Sequence, residues 1–180
     1  RDDRLQRHDI RNCIVQGGFP GENFDIDPRF RDLIGPDGIA GTIDDDLRPI
    51  PGGPAVDHGN SSFVPRDLAD IDNDGDTIER LPIDLAGNVR IADDPFSADG
   101  PFGTPPNVDI GAFEVNRPCE IVGDNDADGD VDLTDLCYTL HHYGTPSGRI
   151  LGDGDLDQDG DVDLIDLAGL LVNFGMNCES

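Results

Sequence analysis

Asp124-Asn-Asp-Ala-Asp-Gly-Asp-Val-Asp-Leu-Thr-Asp135-Leu136 returns 31 residues later as Asp155-Leu-Asp-Gln-Asp-Gly-Asp-Val-Asp-Leu-Ile-Asp166-Leu167. Each copy carries Asp at positions 1, 3 and 5, and Gly129 or Gly160 at position 6. Position 9 is Asp132 or Asp163, and position 12 is Asp135 or Asp166. Self-similarity at a fixed offset marks a duplicated structural unit, and here the duplicated element is a string of carboxylates.

The spacing is that of an EF-hand calcium loop in which Asp replaces Glu at position 12. Calcium takes roughly six to eight hard oxygens. Alternate residues aim short carboxylates at one centre, and glycine at position 6 allows the chain to turn sharply. Two Ca²⁺ sites are therefore predicted. The first comprises Asp124, Asp126, Asp128, Asp130, Asp132 and Asp135, and the second Asp155, Asp157, Asp159, Asp161, Asp163 and Asp166. Position 7 (Asp130, Asp161) would offer its backbone carbonyl and leave its side chain to solvent. Val131 and Val162, at position 8, should point inward where the paired loops meet back to back.

Each loop runs into a helical pattern. Leu133, Leu136, Cys137 and Leu140 fall at i, i+3, i+4 and i+7, as do Leu164, Leu167, Ala168 and Leu171. Gly144 and Gly175 should stop these helices, with Tyr143 and Phe174 just before them filling a shared core. No entering helix is predicted: Cys119–Gly123 is too short, and Thr145-Pro-Ser-Gly148 is linker chemistry. Residues 119–180, two loops each with only an exiting helix, resemble a type I dockerin domain. The resemblance implies a cohesin-like protein partner, met by helix positions just after each loop: Leu133, Thr134 and His141 in one copy, Leu164, Ile165 and Val172 in the other. Leu133-Thr134 and Leu164-Ile165 depart from the small hydroxyl pair of the cellulosomal form, and no Lys or Arg follows along either helix. The adjacent His141 and His142 do not share a helix face and read as solvated surface.

Composition narrows the partners. The chain has 39 acids (34 Asp, 5 Glu) against 12 Arg and no Lys, a formal net charge of −27. Phosphates would be repelled, which excludes nucleic acid or an anionic membrane surface as the main partner. No stretch approaches the apolar length of a membrane span. Asp favours turns and oxygen-rich loops where Glu favours helix surfaces, so 23 Gly and 14 Pro beside 34 Asp predict loops and short strands. Residues 119–180 alone hold 15 acids and one Arg, a net −14 that calls for a counter-cation. The opening on Arg1 rather than Met is read as a processed or truncated piece of something longer.

The four cysteines are Cys13, Cys119, Cys137 and Cys178. A Cys119–Cys178 disulfide would clasp the two ends of the repeat unit and contribute roughly 4 kcal/mol by loop-closure entropy. Cys137–Cys178 is the alternative pairing, otherwise Cys137 is a buried thiol. Calcium loops and a disulfide together point to an extracellular or cell-surface location.

The first 118 residues lack helical periodicity. Cys13-Ile-Val-Gln-Gly-Gly-Phe-Pro-Gly21, Asp27-Pro-Arg-Phe30, Pro54-Ala-Val-Asp-His-Gly59, Asp84-Leu-Ala-Gly-Asn-Val-Arg90 and Val108-Asp-Ile-Gly-Ala-Phe-Glu114 occur in that order. Together they resemble the C-terminal end of secreted bacterial right-handed parallel β-helix proteins, the pectate-lyase-like, choice-of-anchor group. The expected fold class is thus mixed. Residues 1–116 would be a mostly irregular, β-type end and cap of a parallel β-helix, and residues 117–180 a small all-α dockerin-like domain. Ile50, Val56, Phe63, Val64, Ile83, Val108, Ile110 and Phe113 would pack on the last rungs. A small independent β-rich domain is the alternative.

A further run, Asp70-Ile-Asp-Asn-Asp-Gly-Asp76, matches positions 1, 3, 5 and 6 of a calcium loop. Asp70, Asp72, Asp74 and Asp76 offer a third, weaker metal site, because position 12 would be Leu81 and no helix follows. No nucleophile motif, phosphate loop or zinc spacing is present, so no catalytic residue is assigned to this chain. The β-helix resemblance implies a parent that acts on polysaccharide as a lyase or glycoside hydrolase, with its active site upstream. A purely structural, calcium-stabilised surface protein is the other reading.

Overall fold

The computed structural model describes residues 10–117 and 121–178. Its elements are few. Strands β1 (Phe30–Asp32) and β2 (Asp46–Pro49) form one antiparallel pair, with Phe30 opposite Pro49, Asp32 opposite Asp46 and an irregularity between. Helices α1 (Leu133–His142) and α2 (Leu164–Asn173) follow, and short 3₁₀ turns lie at Ser61–Phe63 and Leu151–Asp153. The architecture is mixed and mostly irregular. The coils of a parallel β-helix are not seen among the described residues, where Ile14 and Phe24 make an isolated parallel bridge. No described helix is long and apolar enough to cross a membrane.

A chain with so little sheet must satisfy its buried backbone amides in another way. Here carboxylates do it. Asp84 accepts the amides of Ala86 and Asn88 on one oxygen, each at 2.8 Å, and that of Glu114 on the other at 2.9 Å. Glu114 accepts the Asp109 amide (3.1 Å), Asp109 those of Asp57 (2.8 Å) and Val115 (2.6 Å), and Asp57 that of Asp94 (3.2 Å). These acids are all buried, around a small core that includes Ala55, Val56, Val64, Val108 and Val115. Of the apolar residues expected inside, Phe63 is exposed, and Ile50, Ile83, Ile110 and Phe113 are half-buried.

The relay continues into the repeat unit. Asp94 Oδ1 meets Arg117 Nε at 2.9 Å, and Arg117 Nη1 donates to the Asp124 carbonyl at 2.5 Å. Arg31 donates to the Asp126 carbonyl, and Arg29 pairs with Asp153 at 2.6 Å. Pro51 accepts the Gly152 amide at 3.0 Å. Residues from the first part of the chain therefore hold the two repeats against it.

The repeats are related residue by residue. Each helix starts on a capping box: Asp132 accepts from Thr134 and Asp135 reaches back to the Asp132 amide, and Asp163, Ile165 and Asp166 do the same. Both helices end before a left-handed glycine, Gly144 (φ 78°) and Gly175 (φ 85°), as expected. The loops do not meet back to back. Val131 bonds through its backbone to Gly175 (2.8 Å) and Met176 (2.9 Å), and Val162 to Gly144 (2.7 Å) and Thr145 (3.2 Å). Each loop thus pairs with the segment that follows the other helix. Both valines are fully buried, as expected.

The buried helix face corrects the expected one. In α1 the buried residues are Asp135 and Thr139, and in α2 Asp166 and Leu170. Leu133, Leu140, Leu164 and Leu171 are all more than half exposed, Cys137 is an exposed free thiol, and Tyr143 and Phe174 face outward. The physical reason is that loop backbone closes directly on each helix where a broad apolar core was expected. Gly154 packs against Thr139 and Gly123 against Leu170; a Cβ on Gly154 would lie 2.6 Å from Thr139 Oγ1. Close approach of loop backbone to helix selects the i, i+4 pairs 135/139 and 166/170. Cys178 is disulfide-bonded while Cys13 and Cys137 are free, which removes the Cys137–Cys178 alternative. Cys119, its expected partner, lies outside the described residues.

Candidate metal centre

Asp124, Asp126 and Asp135 bring one carboxylate oxygen each to within 4.8 Å of one another, and so do Asp155, Asp157 and Asp166. Positions 1, 3 and 12 of both loops therefore converge. Asp130 and Asp132 form a second such group with Asp135. Position 5, Asp128 or Asp159, accepts the amide of position 7 at 3.1 Å.

Position 12 is the hinge of each loop. Asp135 Oδ1 accepts the Asn125 amide at 2.6 Å and its Oδ2 the Asp132 amide at 2.8 Å. Asp166 takes the Leu156 and Asp163 amides, both at 2.7 Å. One buried carboxylate thus ties loop entry to helix start. The capping box could have been read from Asp-x-x-Asp at positions 9 to 12, a signal the metal pattern overlays. Position 4, Ala127 or Gln158, is left-handed (φ 59° in both), a conformation uncommon in non-glycine residues and not signalled by either side chain.

The residues fit a hard cation. Asp126 Oδ1 and Asp155 Oδ1 are inaccessible to solvent and have no hydrogen-bond partner, although their neighbours are further carboxylates. Oxygen-only donors at this density suit Ca²⁺. Burial pushes Asp124 up to about 6 against the opposing charge of Arg117, and pushes Asp126 to about 6 with the repulsion of Asp128 and Asp135 added. Burial also raises Asp135 and Asp155. Asp130 and Asp161 depart from expectation: each has a buried Oδ1 without a partner, so their side chains do not simply face solvent.

The run Asp70–Asp76 folds like the two loops. Its position 4, Asn73, is left-handed (φ 62°), and the Gly75 amide bonds Asp70 at 3.1 Å as Gly129 bonds Asp124 at 3.2 Å. The Asp76 amide bonds Asp74 at 2.7 Å, matching Asp130 on Asp128. Asp70, Asp72 and Asp74 converge within 4.8 Å, and Asp72 converges likewise with Asp67 and Glu79. Asp67 was missed in the sequence because it lies outside the twelve-residue frame, and Glu79 because it stands at position 10, which is not a liganding position of that frame. The bridge between Arg66 and Arg80 brings them together.

The helix exteriors carry the residues expected to meet a partner. Leu133, Leu164, Ile165 and Val172 are 69%, 65%, 60% and 78% exposed, and Thr134 and His141 are also exposed. His142 turns inward, with Nδ1 3.0 Å from the Asp153 carbonyl.

No family model matches the chain, and no curated protein does. A solved structure to which it is similar is the type II cohesin-dockerin domain from Bacteroides cellolosolvens, at TM-score 0.30 and 22% identity, over 34% of this chain and 97% of that one. A TM-score of that size is too low to establish a shared fold.

Proposed function

We propose that this chain is a calcium-dependent docking module of an extracellular protein, binding a cohesin-like domain through the outer faces of α1 and α2. The observation that carries this reading is the apolar exterior of two helices in an otherwise acidic unit. A 31-residue offset maps Leu133, Thr134 and His141 onto Leu164, Ile165 and Val172, so two equivalent faces exist, and that of α2 is the more apolar. Ca²⁺ would be held by Asp124, Asp126 and Asp135 and by Asp155, Asp157 and Asp166. It would neutralise buried carboxylates and fix the start of each helix. A third ion at Asp70, Asp72, Asp74 and Asp76, closed by Asp67 and Glu79, would brace the preceding segment. The disulfide at Cys178 agrees with an oxidising location.

A parent with a parallel β-helix upstream is part of the same proposal. An open groove of about 1200 Å³, lined by apolar residues such as Ile14, Ile26, Phe30, Val64 and Ile110, suits the packing of a preceding coil. Polysaccharide would be reached through that parent, and no catalytic residue is placed in this chain.

Binding of the full chain to an immobilised cohesin domain, in Ca²⁺ and in EGTA, tests the docking reading. Retention only with Ca²⁺, weakened more by Ile165→Asp with Val172→Asp than by Leu133→Asp with Thr134→Asp, is expected. Absence of retention by the calcium-loaded, folded chain across a panel of cohesins would sink it.

A further inference from the structure

We propose that Asp57 and Asp109, beside Asp94, hold a hard divalent cation in a buried site separate from the acidic loops. These three residues are 1%, 2% and 1% exposed. They are interlocked through the backbone, the Asp57 amide on Asp109 Oδ1 and the Asp94 amide on Asp57 Oδ2. The second oxygen of Asp57, Oδ1, is sealed from solvent and has no hydrogen-bond partner. A carboxylate oxygen left without donor, cation or water in a protein interior is costly, and one partner is missing from this arrangement.

Charge points to what the partner is. Five carboxylates are buried here (Asp57, Asp84, Asp94, Asp109 and Glu114), against the guanidinium groups of Arg90 and Arg117. Arg90 is engaged by Glu114 and the Gly111 carbonyl, and Arg117 by Asp94 and the Asp124 carbonyl. Asp84 is satisfied by three amides, and Asp94 by Arg117 and the Phe96 amide on one oxygen and the Ser97 hydroxyl on the other. Asp57 and Asp109 remain, in no ion pair among the described residues. Burial and their mutual repulsion push Asp57 up to about 8, and burial pushes Asp109 to about 7. A divalent ion would remove that repulsion. The donors are all oxygens, which selects Ca²⁺ or Mn²⁺ over a softer metal. The site does not depend on the docking reading, and none of its residues lies in the three acidic loops.

Native mass spectrometry of the full chain equilibrated with CaCl₂ counts the bound ions. Asp57→Asn is expected to hold one Ca²⁺ fewer than the wild type. Asp124→Asn and Asp155→Asn calibrate the loss of one loop ion each. An unchanged count in folded Asp57→Asn would overturn the proposal and leave a buried protonated acid in its place. Should Asp57→Asn fail to fold, wild-type crystals soaked in Mn²⁺ decide the matter. An anomalous peak between Asp57 and Asp109 supports the site, and peaks at the loops alone refute it.

Discussion

Asp135 accepts the backbone amide of Asn125 at 2.6 Å with one oxygen while its other oxygen caps the helix at Asp132, 2.8 Å away. The side chain proposed to close the metal cage is therefore also a structural acceptor. Asp135→Ala should weaken Ca²⁺ binding at the first loop at least about tenfold. It should also destabilise the calcium-free chain by about 2 kcal/mol, from the lost cap and an unpaired buried amide. Isothermal titration and urea melts separate the two effects. Asp166→Ala should behave alike at the second loop.

Thr139 Oγ1 accepts from Asn125 Nδ2 at 3.0 Å inside the first repeat. The 31-residue offset places Leu170 and Leu156 at the equivalent positions in the second. Thr139→Val should cost about 1 kcal/mol, because Nδ2 keeps only its bond to the Asp135 carbonyl. Adding Asn125→Leu should recover part of that loss. A double-mutant cycle in urea reads the coupling, and strict additivity would contradict it.

Asp124 and Asp126 hold protons up to about pH 6 in the folded chain, against about 4 when unfolded. The folded state binds more protons in that window, so the metal-stripped chain should lose stability as pH rises from 4 through 6. Calcium needs the ionised form, so its stabilising effect should grow over the same range. Melting temperatures at pH 4.5 and 7, with and without Ca²⁺, should cross in order. A metal-stripped chain more stable at pH 7 would refute the assignment.

Glu79 lies beside the third loop with its carboxyl raised by burial and by Asp74, Asp72, Asp76 and Asp67. If a cation sits there, the Gly75 amide resonance should move on adding Ca²⁺ to the wild type and much less in Glu79→Gln. Identical shifts in both would show that Glu79 is not a ligand.

The two loops, their helices and the glycines that end them were legible because each is encoded locally, in alternation, spacing and caps. The buried helix face was not. Leu133 and Leu140 mark an apolar stripe, yet Asp135 and Thr139 are the residues inside, since the loop backbone at Gly154 approaches too closely for a large side chain. The first part of the chain was less readable for a different reason. Its order rests on acids such as Asp57 and Asp94, 37 residues apart, whose carboxylates replace the ladder of a sheet and leave no period in the sequence.

Arg117 has a mechanical consequence. Its guanidinium is almost wholly buried between Asp94 and the first loop, with Phe96 stacked 5.1 Å away, and Arg31 and Arg29 hold the same unit at Asp126 and Asp153. Tension applied at the outer faces of α1 and α2 would pass into the body of the chain through these three arginine contacts as well as along the peptide. A load on the module would thus be shared between side chains and backbone.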